Sequence, residues 1–492
     1  MDAKEITAET LAMLKKATTS GLLVATGVQG VDLSGLVSLV PVNVPARNNT
    51  SAFPRTIAGE GSQTATWRAL LNINSAQANP AVGRDYAGTL VQFSEQDCFA
   101  QYQPLAEAGR VTLDAVAVAR NFADALATAE LQTLNQLFIG QDIYIVNGQA
   151  WSLGTPPTPV TTAATSGGSI TGGTTVYVKV CARSGTNYYY GGNSVASVAG
   201  SITTATGQNT NTVSASIAAV KGAVAYDWYV GSSASSLFYY TTTSVANVTI
   251  TAVPTTAQSV PTTLPLLSTI APPSTPPSAD TSWNQNWFNG LIATTLGDYG
   301  SSGPVTPGTG QNPSGATFID NGGAALAASG ASITLLDTIN DDLWTSVQLS
   351  PTAYMVNSLQ GDEISKLLLN STASTTFLPP TDADARTNLA GGGYVGRYIN
   401  KAAGGVPVAI EVHPHVPPGT IIARTDRVPF PGSNIGSVFE VRCQYDTMRF
   451  DYAANYNPGV VGGGPRYDFE IRSMEALINR APVAQAVATN IA

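Results

Sequence analysis

The stretch Thr112–Phe138, TLDAVAVARNFADALATAELQTLNQLF, is the one around which the rest of the chain is arranged. Its 27 residues hold no glycine or proline and are rich in Ala, Leu, Gln and Glu, all good helix formers. Asp114, Asn121, Asp124, Thr128, Gln132 and Asn135 recur at helical spacing and make one polar stripe. Val116, Val118, Phe122, Ala123, Leu126, Leu134 and Leu137 cover a broad opposite face. Thr112 is placed to cap the N-terminus, Asp114 suits the positive end of the helix dipole, and Gly140 is a natural stop. The pattern predicts a spine helix over 112–138, roughly 40 Å long, followed by a short strand, Asp142–Asn147. Nothing on the spine has the makings of a catalytic group.

At 492 residues the chain exceeds one ordinary core, and about two to four domains are expected. Only 11% of it is charged, less than half the usual share. Low charge with 8% aromatics is not the composition of a disordered chain. A large neutral surface fits a protein that lies against other protein; a secreted β-rich adhesin has the same composition. The net charge of -9 argues against a dedicated nucleic-acid binder, which needs a basic patch. It leaves room for a container whose inner wall faces DNA non-specifically. Cys98, Cys181 and Cys443 are far apart, odd in number and without metal spacing, which reads as three buried free thiols.

The N-terminus, MDAKEITAETLAMLKK, lacks the apolar core of a signal peptide, and no run of 18 apolar residues spans a membrane. The expectation is a protein made in the cytoplasm and soluble there until it assembles. Residues 1–45 read as an N-terminal arm: a short helix over 4–17, then GLLVATGVQGVDLSGLVSLVPVNVP over 21–45, Val- and Leu-rich and broken by glycine. Such an arm suits pairing with another chain or a first strand of the local sheet, and the residues leave both open. Residues 46–104 read as a long hairpin, with GSQTATWRALLNIN and TLVQFSEQDCFAQYQ as its strands around a Gly/Pro/Asn-rich turn. Trp67 and Tyr86 are expected to be poorly buried on it and to touch a neighbouring subunit. Arg47, Arg55, Arg68 and Arg84 give the hairpin a positive character suited to ion pairs with that neighbour. The inter-subunit candidates are therefore Trp67, Arg68, Arg84 and Tyr86.

Residues 105–153 carry the spine. The Pro-rich runs GTPPTP at 154–159 and APPSTPPS at 271–278 then bracket a stretch with only Lys179, Arg183, Lys221 and Asp227 charged. They mark residues 154–278 as a domain that leaves and re-enters its host at one place. Inside it TTVYVKVCAR, NYYYGG, TVSASI, AVAYDWYVG, SLFYYTT and NVTIT are short and evenly spaced, the pattern of a β-sandwich. The stretch from Tyr226 to Gly231 with Leu237–Tyr240 resembles strands of fibronectin type III and related immunoglobulin-like domains, Trp228 being core. Beyond it come a helix over Ser332–Thr345, a strand over Thr352–Val356, a helix over Ser358–Leu369, a long strand FEVRCQYDTMRFDY and a last short segment EIRSMEALINRAP. The fold class is α+β with an inserted all-β sandwich.

Three stretches of the C-terminal third, GVPVAI (405–410), HPHVPPGTII (413–422) and FEVRCQYD (439–446), carry a resemblance to a known family. They resemble the major capsid protein of tailed bacteriophages, the HK-ninety-seven type of fold shared with encapsulins. The order of elements before them agrees. The resemblance implies an N-arm over 1–45, an E-loop over 46–104, a P-domain over 105–153, mainly A-domain over 279–434, and C-terminal strands over 435–492. It further implies self-assembly through hexamers and pentamers into an icosahedral head around packaged double-stranded DNA, with a portal and separate scaffolding or decoration proteins as partners. The immunoglobulin-like insert is expected to project outward, where it is suited to host-surface glycans or to stiffening its neighbours. One branch of the family welds subunits through a lysine on the E-loop; residues 17–178 contain no lysine, so a noncovalent shell is expected. The absence of a long charged prefix before the arm argues against a fused scaffolding extension. An encapsulin-like nanocompartment is the alternative on the same fold, and a secreted adhesin or surface-layer protein a more distant one.

No enzyme and no cofactor emerge. His413 and His415 are the only histidines, each beside a proline, with Glu411 the nearest acid and no third metal ligand in view. No G-x-S-x-G stretch supports a hydrolase triad. GTGQNPSG at 308–315 lacks the Lys-Ser/Thr of a phosphate loop. Asp382 and Asp384 read as a solvated turn rather than a calcium site.

Overall fold

A computed structural model of the chain describes residues 53–57, 63–70, 84, 95–119, 124–284, 286–296, 317–329, 332–370, 395–428, 437–452 and 466–492. The arm over 1–45, Arg47, Tyr86, the 308–315 loop, Asp382 and Asp384 lie outside the described residues. The fold is mixed α+β, with many strands and few helices.

After β1 (Arg55–Ile57), strands β2 (Thr64–Leu70) and β3 (Glu95–Gln101) pair antiparallel, from Thr64 opposite Gln101 to Leu70 opposite Glu95. Alternation along β2 points Ala65, Trp67 and Ala69 inward, onto Cys98, Tyr102, Ala476 and Ile478. Trp67 is therefore buried in its own chain, 8% exposed, and its indole N–H donates to the Asn479 carbonyl at 3.0 Å. The poor burial expected of it on a lone hairpin does not hold, because the C-terminal strand closes over the hairpin base. Leu70 N–H, donating to the Arg480 carbonyl at 2.9 Å, fixes the same contact.

Strand β4 (Gln103–Thr112) runs into two helices, not one: α1 (Leu113–Ala119) and α2 (Ala125–Asn147). Thr112 does cap, its Oγ1 accepting from Ala115 N–H at 3.3 Å. Asp124, expected on the polar stripe, caps the second helix by accepting from Leu126 and Ala127 N–H at 3.0 and 3.1 Å. Gly140 stops nothing, and Asp142–Asn147 is helix rather than strand. A glycine inside a helix costs about 1 kcal/mol, less than is gained by burying Ile143, Ile145 and Val146 one turn later. The stop is Gly148, whose N–H reaches the Tyr144 carbonyl at 2.8 Å. A Cβ there would meet the Phe288 carbonyl at 2.2 Å, so the chain can pass only as glycine.

The insert has seven strands: β5 (Val160–Ala164), β6 (Thr175–Ser184), β7 (Gly200–Thr203), β8 (Thr212–Ser216), β9 (Ala223–Ser233), β10 (Ser236–Thr243) and β11 (Asn247–Ile250). They form a four-stranded sheet, β10-β9-β6-β7, and a three-stranded sheet, β11-β8-β5. Val176, Val178 and Val180 of β6, Trp228 and Val230 of β9, Val213 of β8 and Ile250 of β11 share one core. The strand order is not that of a constant-type immunoglobulin domain, whose sheets run ABED and CFG in chain order; the likeness stops at two packed sheets. NYYYGG is not a strand but most of a helical turn, α3 (Gly185–Tyr190), begun by Ser184, whose Oγ accepts from Asn187 N–H.

After α4 (Leu291–Leu296) the host resumes with β12 (Thr317–Asp320), the short pair β13 (Ala328–Ser329) and β14 (Ser332–Ile333), α5 (Thr334–Val347), β15 (Ala353–Val356) and α6 (Ser358–Asn370). Strands β16 (Arg397–Asn400), β17 (Val406–Val412) and β18 (Ile421–Arg424) come next, then the long β19 (Phe439–Tyr452) and β20 (Arg466–Asn479), and last β21 (Ala486–Thr489). A six-stranded mixed sheet, β12-β21-β18-β15-β17-β16, holds the main core with α4, α5 and α6, and a second sheet runs β1-β19-β20-β4. The segment expected to be short, EIRSMEALINRAP, belongs to the 14-residue β20.

The chain divides into two compact units: Met1–Val44, Glu107–Asn135 and Arg449–Ile471 in the first, and Pro45–Ala106, Gln136–Met448 and Arg472–Ala492 in the second. In the first, the Phe469 ring lies against Gly109, where a Cβ would come within 2.2 Å of it. Arg449 covers the same ring at 5.2 Å and pairs with Glu130 at 2.6 Å.

In the second unit the insert is no tethered bead. Tyr188, Val224, Ala225 and Leu267 belong to the main core beside Ile145, Val146 and Leu291. Thr186 Oγ1 donates to the Asn147 carbonyl at 2.6 Å, and Ala246 N–H to Asn490 Oδ1 at 2.7 Å. Deleting residues 160–271 should therefore yield an insoluble chain without a cooperative melt, since it strips cover from Ile145 and Val146; a soluble, cooperatively melting deletion variant would contradict the shared core. Trp67→Ala should cost about 3–5 kcal/mol in denaturant unfolding of the unassembled chain.

Candidate functional site

Of the four inter-subunit candidates, Trp67 is internal, Arg68 and Arg84 are exposed, and Tyr86 lies outside the described residues. Arg55, also expected to pair with a neighbour, is occupied within its own chain: its guanidinium meets Glu475 at 2.8 Å and Asp446 at 2.9 Å. Burial works against its charge, and the carboxylates beside it more than offset that, holding its pKa above the ordinary arginine value. Cys98, Cys181 and Cys443 are buried free thiols, and burial pushes Cys443 up to about 12, far from reactivity at neutral pH.

The strongest gathering of chemical groups is one that sequence reasoning misses. Both histidines converge on Asp142 from α2: His415 Nδ1 lies 2.5 Å and His413 Nε2 3.1 Å from the same oxygen, Oδ2. All three side chains are nine-tenths buried or more. Glu411, the acid nearest in sequence, instead meets Arg424 at 3.3 Å. Asp142 escapes notice when DIYIVN is taken for a strand, whereas on a helix it turns one carboxylate onto the turn between β17 and β18. The signal on offer is a lone acid amid apolar residues.

These three groups are spaced as metal ligands are, within 4.8 Å of one another. The protons decide otherwise. His413 Nδ1 accepts from the His415 backbone N–H at 3.2 Å, so its own proton sits on Nε2 and faces the carboxylate. A cation on Nε2 would force that proton to Nδ1, nose to nose with an N–H donor. The cluster is therefore a carboxylate receiving two imidazole donors. Burial, the largest influence on Asp142, would raise its pKa, but the hydrogen bonds and charge of the two histidines together prevail and hold it at about 2.

A different kind of site lies in the first unit. No residue of α1 is buried, and the first buried residue of α2 is Leu137. Leu113, Val118 and Leu131 stand 42%, 66% and 57% exposed, with Phe450 and Tyr467 on the strands also open. Among the described residues these apolar side chains have no cover, and covering them is favourable.

No protein-family model and no curated protein matches the chain. Among solved structures it is similar to shells. The capsid of cyanophage A-1(L) aligns with a TM-score of 0.42 and 9% identity, covering 89% of this chain and 91% of that one. The capsid of the native GTA particle aligns at 0.39 and 7%, covering 95% and 100%. The SrpI encapsulin complex of Synechococcus elongatus aligns at 0.34 and 9%, covering 90% and 86%. At these scores the likeness carries no weight of its own, and any assignment of function rests on the chain's own surfaces.

A depressed folded-state pKa stabilises the fold above the ordinary carboxylate range, and that contribution is lost as pH falls through about 2. Asp142→Asn should therefore destabilise by roughly 2 kcal/mol at pH 7. The gap to wild type should narrow below pH 4, read from denaturant midpoints across a pH series.

Proposed function

We propose that the chain is the major capsid protein of a tailed double-stranded DNA phage, closing through hexamers and pentamers into a noncovalent icosahedral head. The observation that carries this reading is the exposure of Leu113, Val118 and Leu131 along α1 and the first half of α2 among the described residues. Burying a leucine or valine contributes roughly 1.5–3 kcal/mol, and the described residues of the first unit offer Leu113, Val118 and Leu131 no such cover. A second copy supplies it through a heterologous contact, which closes into rings when the rotation permits. Interfaces of permanent assemblies commonly bury about 2,000 Å² or more, and the hairpin of β2 and β3 adds reach with Arg68 and Arg84 outward.

The function is geometric, and no chemical step is assigned to any residue. The sandwich insert faces outward in this reading as a fused part of the wall, and weak glycan contacts multiplied over many copies remain within its reach. Portal, scaffolding and decoration proteins are the partners, packaged DNA is faced without sequence preference, and the virion is where the chain resides.

Val118→Asp with Leu131→Asp touches no buried side chain. It should leave the subunit's circular dichroism and melt intact while abolishing closed shells in negative stain and fast-sedimenting particles in the centrifuge. Normal shells from this variant, or monodisperse wild-type monomers with and without a scaffolding protein, would sink the reading. Shells that hold a cargo protein and no DNA would move it to an encapsulin-like compartment.

A further inference from the structure

An asparagine followed by glycine loses its side-chain amide more readily than any other, because glycine lets the next backbone nitrogen swing toward Cγ. The chain holds three such pairs, Asn147–Gly148, Asn289–Gly290 and Asn321–Gly322. The fold treats them differently. Gly148 N–H donates to the Tyr144 carbonyl at 2.8 Å and Gly290 N–H to the Gly148 carbonyl at 2.9 Å, and both glycines are buried. The side chains are held too, Asn147 Nδ2 on the His415 carbonyl at 2.7 Å and Asn289 Oδ1 under Ala150 N–H at 2.9 Å. In neither pair can the nitrogen reach Cγ without breaking core contacts.

Asn321–Gly322 stands in the open, in the turn that follows β12. Ala324 N–H returns to the Asn321 carbonyl at 3.2 Å around Gly322 and Gly323, which sit at φ 67 and 73. Gly322 is exposed, and a Cβ on it would meet nothing within 4 Å. Its N–H donates to a carboxylate oxygen, Asp320 Oδ1, at 2.8 Å. The nucleophile, its proton acceptor and solvent are thus together beside the amide.

We propose that Asn321 is a self-modification site, at which the folded chain converts its own amide to a carboxylate and so loosens the joint between the sandwich insert and the six-stranded sheet. The Gly322 nitrogen attacks Asn321 Cγ and gives its proton to Asp320. The Cγ–Nδ2 bond breaks, Nδ2 takes that proton and leaves as ammonia, and a cyclic succinimide remains. Water opens the ring at either carbonyl, leaving aspartate or isoaspartate. Solvent water is the co-reactant, and nothing is oxidised or reduced.

The consequence follows from what the turn holds. Asp320 accepts from Ala219 N–H of the insert at 3.2 Å and from Asn490 Nδ2 at 2.7 Å. Gly323 N–H donates to the Asn490 carbonyl at 2.9 Å, and a Cβ on Gly323 would come within 2.1 Å of Asn247 Nδ2 at the start of β11. Asn321 Nδ2 itself donates to the Ala324 carbonyl at 2.6 Å. A carboxylate in its place sets two acceptors against each other and adds a negative charge beside Asp320. Isoaspartate also inserts a methylene into the main chain between the two contacts with Asn490.

The test ages the purified full chain for days in mildly alkaline buffer, folded or in denaturant, and follows the three pairs by peptide mass mapping. In denaturant all three should convert at similar rates, since each is the same dipeptide in an open chain. In the folded chain Asn321 should keep pace with its denatured rate, giving both aspartate and isoaspartate, while Asn147 and Asn289 stay amidated. An Asn321 that converts only in denaturant overturns the site, as does folded-state conversion of Asn147 or Asn289 at the same rate. Asn321→Asp supplies one product directly and should melt about 1–3 °C below wild type; an equal melt overturns the loosening. If that variant fails to fold, aged wild type is separated by ion exchange into converted and unconverted chains. A lower melt of the converted fraction supports the loosening, and equal melts refute it.

Discussion

The apolar seam between the sandwich and the six-stranded sheet is the constraint on which the second unit depends. Tyr188, Val224, Ala225 and Leu267 come from one side, and Ile145, Val146, Leu291 and Val483 from the other. Both sets belong to one core. The last three turns of α2 lie in this seam, which explains why a helix tolerates Gly140 and continues to Gly148. Several polar groups inside the seam are paired, although among the described residues the Asn147 side-chain oxygen has no partner. Asn147 spans from Thr186 to His415, and Asn490, in a left-handed conformation at φ 61, receives Ala246 N–H while donating to Asp320. An unmatched polar group here would cost about 1–3 kcal/mol, so these contacts set the register in which the two cores meet.

Much of the host is legible in the sequence because its segments obey one period throughout. FEVRCQYDTMRFDY alternates and forms all of β19; SLQGDEISKLLLN carries apolar residues three and four apart and forms α6. The sandwich strands around Tyr177, Val213, Trp228 and Tyr239 are legible for the same reason. The departures are local and have physical causes. DIYIVN is apolar nearly all round, and such a run reads as strand or buried helix until length decides. NYYYGG has strand-like composition, yet the Ser184 cap and the fit of Gly185 against Asn147 wind it into a turn. Asp124 sits in phase with the polar stripe, and periodicity does not reveal that it caps the start of α2. The His cluster needs a partner more than 270 residues away, a distance no spacing rule reaches.

Charge is scarce in this chain, and a few of its charged groups are buried in pairs. Arg183 and Asp227 meet at 2.8 Å in the sandwich with side chains essentially unexposed, and Thr242 and Asn193 complete the carboxylate. Pairs of this kind contribute little net stability over an apolar isostere, but removing one partner leaves a buried charge, so they specify arrangement more than they add strength. Arg55 with Glu475, and Asp142 with its histidines, obey the same logic. In the first unit Arg449 is drawn to Glu130 and to the face of Phe469. Among the described residues the rest of the chain's charge is not buried, and with 11% of residues charged it is sparse. Among the described residues Leu113, Val118 and Leu131 are left exposed, and their burial against a second copy is what the proposed assembly requires.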